Sequence, residues 1–213
     1  MILNNDKALK VAEFLLQIKA VKLQPNNPFQ WSSGWYSPIY CDNRKVLSYP
    51  RVRTYVRQTF VEVIEERYGK PDIIAGVATG GIAIGALIAE EMGLPFIYIR
   101  SSAKGHGMQN QIEGAFEKGQ SVVVIEDLIS TGGSSLKAIE ALKSAGLTIK
   151  GLAAIFTYGF DAAVENFKKA NCDVISLSDY NHLIEQAVAE NYVTESDVLS
   201  LSNWRIAPEN WNK

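Results

Sequence analysis

The middle of the chain alternates apolar runs of strand length with segments of helical periodicity, and this alternation limits the possible folds more than any other feature. In chain order, the segments are a run at 72–78, a helix at 81–92, a run at 95–99, a run at 121–125, a helix at 133–145 and a run at 148–157. Strands separated by helices predict right-handed crossovers and a parallel sheet that is buried on both faces. We therefore expect an α/β fold with a mostly parallel sheet flanked by helices.

Further helices are predicted on both sides of this core. The pattern predicts an amphipathic helix at 7–18 and a second helix at 52–68 that is ended by Gly69. After the core, a helix at 161–170, an edge strand at 173–177 and two more helices complete the pattern, the last opening at Thr194. Since no internal repeat or Gly/Ser linker interrupts the 213 residues, we expect a single domain over 1–213.

Composition excludes several classes of protein. A net charge of −2 shows no basic footprint, so nucleic acid is not an expected partner. No apolar run is long enough to span a bilayer and no leader pattern opens the chain, so we expect no membrane association and a cytoplasmic location. The two cysteines, Cys41 and Cys172, suggest neither a disulfide framework nor a zinc site.

A glycine- and hydroxyl-rich loop, STGGSS, separates the third apolar run from the helix that follows it. Backbone N–H groups at such a helix N-terminus, together with the helix dipole, bind phosphate. The loop has no lysine at the Walker position, and the chain has no GxGxxG, so the ATPase and dinucleotide fingerprints are both missing. The residues of this predicted phosphate loop are Ser130, Thr131, Gly132, Gly133, Ser134 and Ser135. Taken alone, the loop is more typical of a strand-to-helix turn with polar caps.

Two carboxylates, Glu126 and Asp127, precede this loop and distinguish it from an ordinary turn. A ribose would separate them from a bound phosphate, because its hydroxyls donate to carboxylates while its 5-phosphate occupies the loop. The pair can also hold Mg²⁺ against a diphosphate on the other side of the sugar. The order of an apolar strand, two acids, Leu128-Ile129 and then a T-G-G sequence resembles the 5-phosphoribosyl 1-pyrophosphate (PRPP) motif of the phosphoribosyltransferases. The resemblance implies that residues 126–134 bind PRPP.

A second anion site is expected where the first apolar run ends, at 76–81. The segment GVATGG closes a strand and opens a helix, so it offers backbone donors at the same edge of the sheet. We expect Thr79 and Gly80 to contact the pyrophosphate of PRPP. The alternative is a glycine-rich turn that serves close helix packing.

Residues 100–113 have the composition of a mobile lid, with basic residues, a histidine and several glycines. Arg100, Lys104 and His106 would stabilise the negative charge that develops on departing pyrophosphate. A solvated surface loop is the alternative. The pattern R-x-x-x-K-x-H-G resembles the lid of the orotate phosphoribosyltransferases, which implies a homodimer in which the lid reaches the partner's site.

The segment S-G-x-x-S-P-I-Y-C-D-N-R, residues 33–44, resembles the hood of the same family. This hood would comprise roughly 1–47 together with C-terminal elements. The resemblance implies orotate contacts at Tyr40, Cys41 and Ser130, while ordinary packing remains the expectation for Trp31 and Trp35. The sequence IFTYGFD at the end of the fourth apolar run lacks the arginine with which some members contact orotate, and its replacement is left open.

Together, these motifs identify the chain as a member of the orotate phosphoribosyltransferases, with the type I phosphoribosyltransferase fold. The expected reaction converts orotate and PRPP into orotidine 5-monophosphate and pyrophosphate, with Mg²⁺, in pyrimidine nucleotide synthesis. The expected catalytic residues are Arg100, Lys104, His106 and Asp127. The alternatives are a uracil or purine phosphoribosyltransferase and a regulator that senses PRPP and binds RNA without turnover.

Overall fold

A computed structural model of the chain describes residues 2–30, 34, 36–101 and 111–211. Its centre is a six-stranded sheet with the strand order β10-β9-β8-β5-β6-β7. The six strands are β5 (Ile73–Val77), β6 (Phe96–Ile99), β7 (Ile112–Glu113), β8 (Ser121–Ile129), β9 (Thr148–Thr157) and β10 (Val174–Asp179). All neighbouring pairs are parallel except β6 and β7, which are antiparallel. The predicted α/β fold with a mostly parallel sheet is confirmed.

Helices cover both faces of this sheet. Within the described residues, the α-helices are α1 (Asn5–Gln17), α2 (Pro50–Tyr68), α3 (Gly80–Met92), α4 (Gly133–Ser144), α5 (Asp161–Lys169), α6 (Tyr180–Ala189) and α7 (Glu195–Ile206). Val123 and Ile125 of β8 pack in the core formed with α1, α2, α3, α6 and α7, whereas Val122 and Val124 pack with α4 and α5. Alternate residues of β8 therefore lie on opposite faces of the sheet, as the two-residue period of a strand requires.

Strand β8 is four residues longer than the run at 121–125 predicts, and this is the main correction to the sequence reading. Charged residues normally end a buried strand, but here Glu126 pairs with Ala154, and Ile129 pairs with Thr157. The long neighbouring strand β9 supplies a hydrogen-bonding edge as far as Thr157, so the extended backbone continues through both acids. Glu126 and Asp127 consequently lie within a strand and not after it.

The N-terminal region adds two small antiparallel pairs and a short 3-10 helix. Strand β1 (Val21–Leu23) pairs with β4 (Ile39–Cys41), and β2 (Phe29–Gln30) pairs with β3 (Tyr36–Ser37). The 3-10 helix, Asn43–Ser48, follows β4 and leads into α2. Helix α1 packs on β10 and α6, and the Ser178 hydroxyl donates a hydrogen bond to the Ala8 carbonyl at 2.9 Å. No helix within the described ranges combines the length and apolar character needed to cross a membrane.

Trp204 anchors the C-terminal helix α7 to the end of β9. Its side chain is fully buried, and its ring lies 5.6 Å from the ring of Tyr158 and 5.5 Å from those of Phe160 and Tyr180, centroid to centroid. The aromatic cluster therefore joins α7 to the segment that follows β9.

Replacing Trp204 with Ala is expected to lower the free energy of unfolding by about 3–5 kcal/mol, because it removes a large buried ring and leaves a cavity. Leu199 lies on the same helix with its side chain 71% exposed, so Leu199→Ala should change stability by no more than about 0.5 kcal/mol. Urea denaturation of both variants measures the difference. Equal losses would contradict the anchoring role of Trp204.

Candidate active site

Three predicted ligand-binding segments meet at one edge of the sheet. Strands β5, β6 and β8 are parallel, so their carboxyl ends lie at the same edge. Strand β5 lies between β6 and β8, with α3 in the core of one face and α4 in the core of the other. The order of the strands thus reverses at β5, and such a switch point opens a crevice that binds ligands in α/β sheets.

The predicted phosphate loop begins directly after β8 and ends in the first turn of α4. Gly132 is the N-cap of α4 with φ of 80°, a left-handed conformation that favours glycine. A Cβ at this position would also lie 2.6 Å from the Phe167 ring of α5. Thr131, Gly133 and Ser134 are exposed, so the first backbone N–H groups of α4 lie next to solvent, where an anion can reach them.

Glu126 points to the α4 side of the sheet and is buried there, with 4% of its surface exposed. The Ser135 hydroxyl donates a hydrogen bond to Glu126 Oε2 at 2.9 Å, and the Asp127 backbone N–H donates to Oε1 at 3.1 Å. Burial, and then the neighbouring Asp127, raise the pKa of Glu126 to about 8. Glu126 therefore stabilises the first turn of α4 from inside the protein.

Asp127 points to the opposite face, toward α3. A Cβ at Gly80 would lie 2.1–2.3 Å from the Asp127 carboxyl group, so this position accepts only glycine while the carboxyl group keeps its place. Gly80 is the first residue of α3 and belongs to the segment 76–81. The contact brings a partly exposed carboxylate of β8 against the second predicted anion site, beside Thr79.

A cavity of about 200 Å³ lies between the ends of β5 and β6 and the first turns of α4. Arg100 lines it, and its Nη1 atom is buried without a hydrogen-bond partner among the described residues; the nearest carboxylate oxygen of Glu113 is 3.6 Å away. Ala78, Ser134 and Lys137 also contribute to its wall. Two cations around one cavity, with one buried N–H unsatisfied, favour an anion between them.

Lys137 is a candidate ligand residue that the sequence analysis missed. It follows Gly133 by four residues, so it lies one turn along α4 from the phosphate loop. Helical periodicity places Lys137 and Gly133 on the same side of α4, and from this spacing the sequence could have predicted Lys137 as a site residue. The proximity of Arg100, 37 positions earlier in the chain, depends on the tertiary fold.

The hood contacts the PRPP motif through its last residues. The Cys41 thiol donates to Asn43 Oδ1 at 3.2 Å, and Asn43 Nδ2 donates to the Asp127 carbonyl at 2.7 Å. Burial chiefly, with nearby Asp127 second, raises the pKa of Cys41 well above its ordinary value, so the thiol stays protonated. Tyr40 is 41% exposed, and its ring lies 5.6 Å from that of Phe29.

The segment IFTYGFD, which lacks an arginine of its own, is contacted by an arginine from α7. Arg205 Nη1 donates to the Gly159 carbonyl at 3.2 Å. Arg205 also lines a cavity of about 250 Å³ that includes Ser130 and Thr131 of the phosphate loop. The remaining predicted residues, Lys104 and His106, lie in 102–110, outside the described residues.

Replacing Glu126 with Gln should change how stability depends on pH. A carboxyl group whose pKa rises from 4.5 to about 8 on folding contributes most to stability below about pH 4.5 and loses that contribution as the pH rises toward 8. The free energy of unfolding of Glu126→Gln relative to the unsubstituted protein should therefore increase between pH 5 and 8. Urea denaturation of both proteins in metal-free buffer measures this, and a pH-independent difference would contradict the buried, protonated carboxyl.

Comparison with known proteins agrees with the geometry. The model of the phosphoribosyl transferase domain matches residues 44–190. The orotate phosphoribosyltransferase of Phocaeicola vulgatus is 54% identical over 200 residues, which cover 94% of each chain. That of Cytophaga hutchinsonii is 54% identical over 204 residues, covering 96% of this chain and 98% of the relative.

A solved structure extends this similarity to the fold. The crystal structure of orotate phosphoribosyltransferase from Aeropyrum pernix superposes with a TM-score of 0.74 at 31% identity, covering 83% of this chain and 97% of that one. The fold is therefore the type I phosphoribosyltransferase fold that the motifs predict. By family model, sequence and structure, the chain belongs to the phosphoribosyl transferase domain family and, within it, to the orotate phosphoribosyltransferases.

Proposed function

We propose that the protein transfers the 5-phosphoribosyl group of PRPP to orotate, giving orotidine 5-monophosphate and pyrophosphate in the synthesis of UMP. The observation that carries this proposal is the convergence, at one switch point of the sheet, of a helix N-terminal phosphate loop, the Asp127 carboxylate and a second helix N-terminus at Gly80. PRPP requires this combination, because it has a phosphate and a diphosphate at opposite ends of a ribose.

In the proposed complex, the 5-phosphate of PRPP binds the loop from Ser130 to Ser134, with Leu128 and Ile129 forming the strand end beneath the ribose. Asp127 accepts hydrogen bonds from the ribose hydroxyls. For Glu126 to join it, as the sequence predicts, its carboxylate has to exchange the Ser135 hydroxyl for a ribose hydroxyl. The diphosphate then lies by Thr79 and Gly80. Of the three basic residues that the sequence predicts for this site, Arg100 is the one within the described residues, and it supplies positive charge there.

The protein contributes positioning and charge stabilisation, and it needs no nucleophile of its own. Bond breaking at C1 of the ribose runs ahead of bond making by orotate N1, which is already anionic when bound. The transition state therefore carries positive charge on the sugar and growing negative charge on the diphosphate. Arg100 stabilises the leaving group, and Lys104 and His106 of the lid join it from the partner subunit of a homodimer while water is excluded.

Mg²⁺ is the proposed cofactor, and the donor set fits a metal held mainly by substrate. No group of three or more His, Cys, Asp or Glu side chains suited to a metal occurs in the part of the chain that the structure describes. Asp127 is partly exposed, whereas Glu126 is buried against Ser135, so Asp127 is the more accessible protein ligand. Mg²⁺ commonly binds through one or two carboxylates and substrate phosphates, and when bound it neutralises charge on the diphosphate.

For orotate, the proposed contacts are Tyr40 and Cys41 of the hood and Ser130 of the phosphate loop. The hood and the strand that leads into the phosphate loop are in contact, because Cys41 contacts Asn43 and Asn43 contacts the Asp127 carbonyl. A uracil or purine phosphoribosyltransferase, or an RNA-binding regulator, is disfavoured by the near full-length similarity to orotate phosphoribosyltransferases. A cytoplasmic location completes the proposal.

Ultraviolet measurement of orotate consumption tests the proposed reaction. Orotate absorbance should fall only when PRPP and Mg²⁺ are both present, with one pyrophosphate released for each orotate consumed. Uracil, adenine, guanine and hypoxanthine should give no comparable product under the same conditions. Transfer to one of these bases in preference to orotate would favour the rival enzyme classes, and salt-dependent RNA binding without any transfer would favour the regulator.

Replacing Lys137 with Met should raise the KM for PRPP by about tenfold while leaving the KM for orotate nearly unchanged, since Lys137 lines the cavity beside Arg100. The expected size corresponds to one charge-assisted contact of about 1.5 kcal/mol. Lys143→Met on the same helix is the matched control, because its ammonium group contacts Glu140 and the Ala170 carbonyl, away from the site. Equal PRPP kinetics in the two variants would exclude Lys137 from the site.

A further inference from the structure

Asn43 connects the hood to the PRPP motif through a side chain that is 1% exposed. It is the first residue of the 3-10 helix, immediately beyond Cys41 and Asp42. Its amide nitrogen donates to the Asp127 carbonyl at 2.7 Å, and its amide oxygen accepts from the Cys41 thiol at 3.2 Å. The Asp127 carbonyl can only accept a hydrogen bond, so the nitrogen end of the amide faces it.

The Asp127 carbonyl receives this amide at a point where the sheet offers it no ladder partner. The register of β5 with β8 ends with Gly76 opposite Ile125, and β5 itself ends at Val77. On the other side of β8, the register with β9 includes Ile125, Glu126, Leu128 and Ile129 but not Asp127. Where β8 extends beyond β5, the Asn43 amide therefore supplies the hydrogen-bond donor that a neighbouring strand would otherwise provide.

This replacement acts on the geometry of the Asp127 side chain. The carboxyl group of Asp127 packs on Gly80 without room for a Cβ, so a small rotation of the Asp127 backbone would move it into or away from the N-terminus of α3. A buried carbonyl that loses its donor costs free energy, and the strand end can lower this cost by moving toward water.

We propose that Asn43 is a positioning residue for PRPP: it holds the Asp127 backbone so that the carboxylate meets the ribose hydroxyls and the hood stays attached to that strand. This inference rests on the proposed function, since it assigns Asn43 a role in the same site. It adds a residue to that site which contacts neither substrate directly, and it makes the hood part of the PRPP-binding machinery as well as of the base site.

Tyr68 offers a matched control for a purely structural role. Its hydroxyl also donates to backbone carbonyls of the sheet region, those of Leu152 and Asp173, each at 3.2 Å. The Asp173 carbonyl lies just before β10, and Leu152 lies in the amino-terminal half of β9, in register with Val174. Tyr68→Phe therefore removes a buried donor from a backbone carbonyl without touching the candidate active site.

The test compares Asn43→Leu, Asn43→Ser and Tyr68→Phe by steady-state kinetics, by calorimetric titration with PRPP and Mg²⁺ in the absence of orotate, and by thermal unfolding. All three variants should unfold at lower temperature. Both Asn43 variants should bind PRPP about tenfold or more weakly and raise its KM to match, whereas Tyr68→Phe should stay within about twofold of the unsubstituted protein. Asn43→Ser keeps a small polar group, so it provides a folded variant if Asn43→Leu does not fold.

Folded Asn43 variants with unchanged PRPP affinity would overturn the inference, and so would an equal loss of affinity in Tyr68→Phe. The calorimetric measurement separates this outcome from failure of the proposed function. If the unsubstituted protein binds PRPP but does not consume orotate, the proposed reaction fails, while the comparison of PRPP affinities still decides the role of Asn43.

Discussion

The extension of β8 beyond its neighbour β5 is the constraint on which the candidate site depends. Strand β9 supports β8 as far as Ile129, whereas β5 ends at Val77, so the last residues of β8 have a strand partner on one side only. Their extended backbone sends Glu126 and Asp127 to opposite faces of the sheet. One carboxyl group is buried beneath the phosphate loop, and the other reaches the loop that opens α3.

The two acids therefore carry out different physical tasks, although they are adjacent in sequence. Burial keeps the pKa of Glu126 near 8, and its contact with Ser135 ties the first turn of α4 to the strand. Asp127 stays partly exposed between the two anion-binding segments, and the free side of its backbone is occupied by Asn43 from the hood. A buried carboxyl group and a partly exposed one are thus divided between neighbouring residues by the two-residue period of a strand.

Much of this protein follows from local patterns. The apolar runs, the helical periodicities and the glycine stops predict the core elements from 73 to 157, and their alternation predicts the parallel sheet. The predicted end of β8, at 125, was wrong because the strand continues by pairing with β9. Local hydrophobicity does not report such a long-range pairing. The 3-10 helix, the short strand β7 and the approach of Arg205 to Gly159 were missed for the same reason, since long-range contacts determine them.

The sequence by itself determined the fold class, the family and the chemical character of each loop, because glycines, hydroxyls, acids and basic residues have local conformational and charge preferences that a motif records. Only the tertiary structure decided which of these groups share a space. It packs Glu126 on Ser135 and Asp127 on Gly80, brings Lys137 to the cavity of Arg100, and places Asn43 on the Asp127 carbonyl across 84 positions of the chain. The physical reason is that side-chain direction depends on strand length and register, and these are set by neighbouring strands that are distant in sequence.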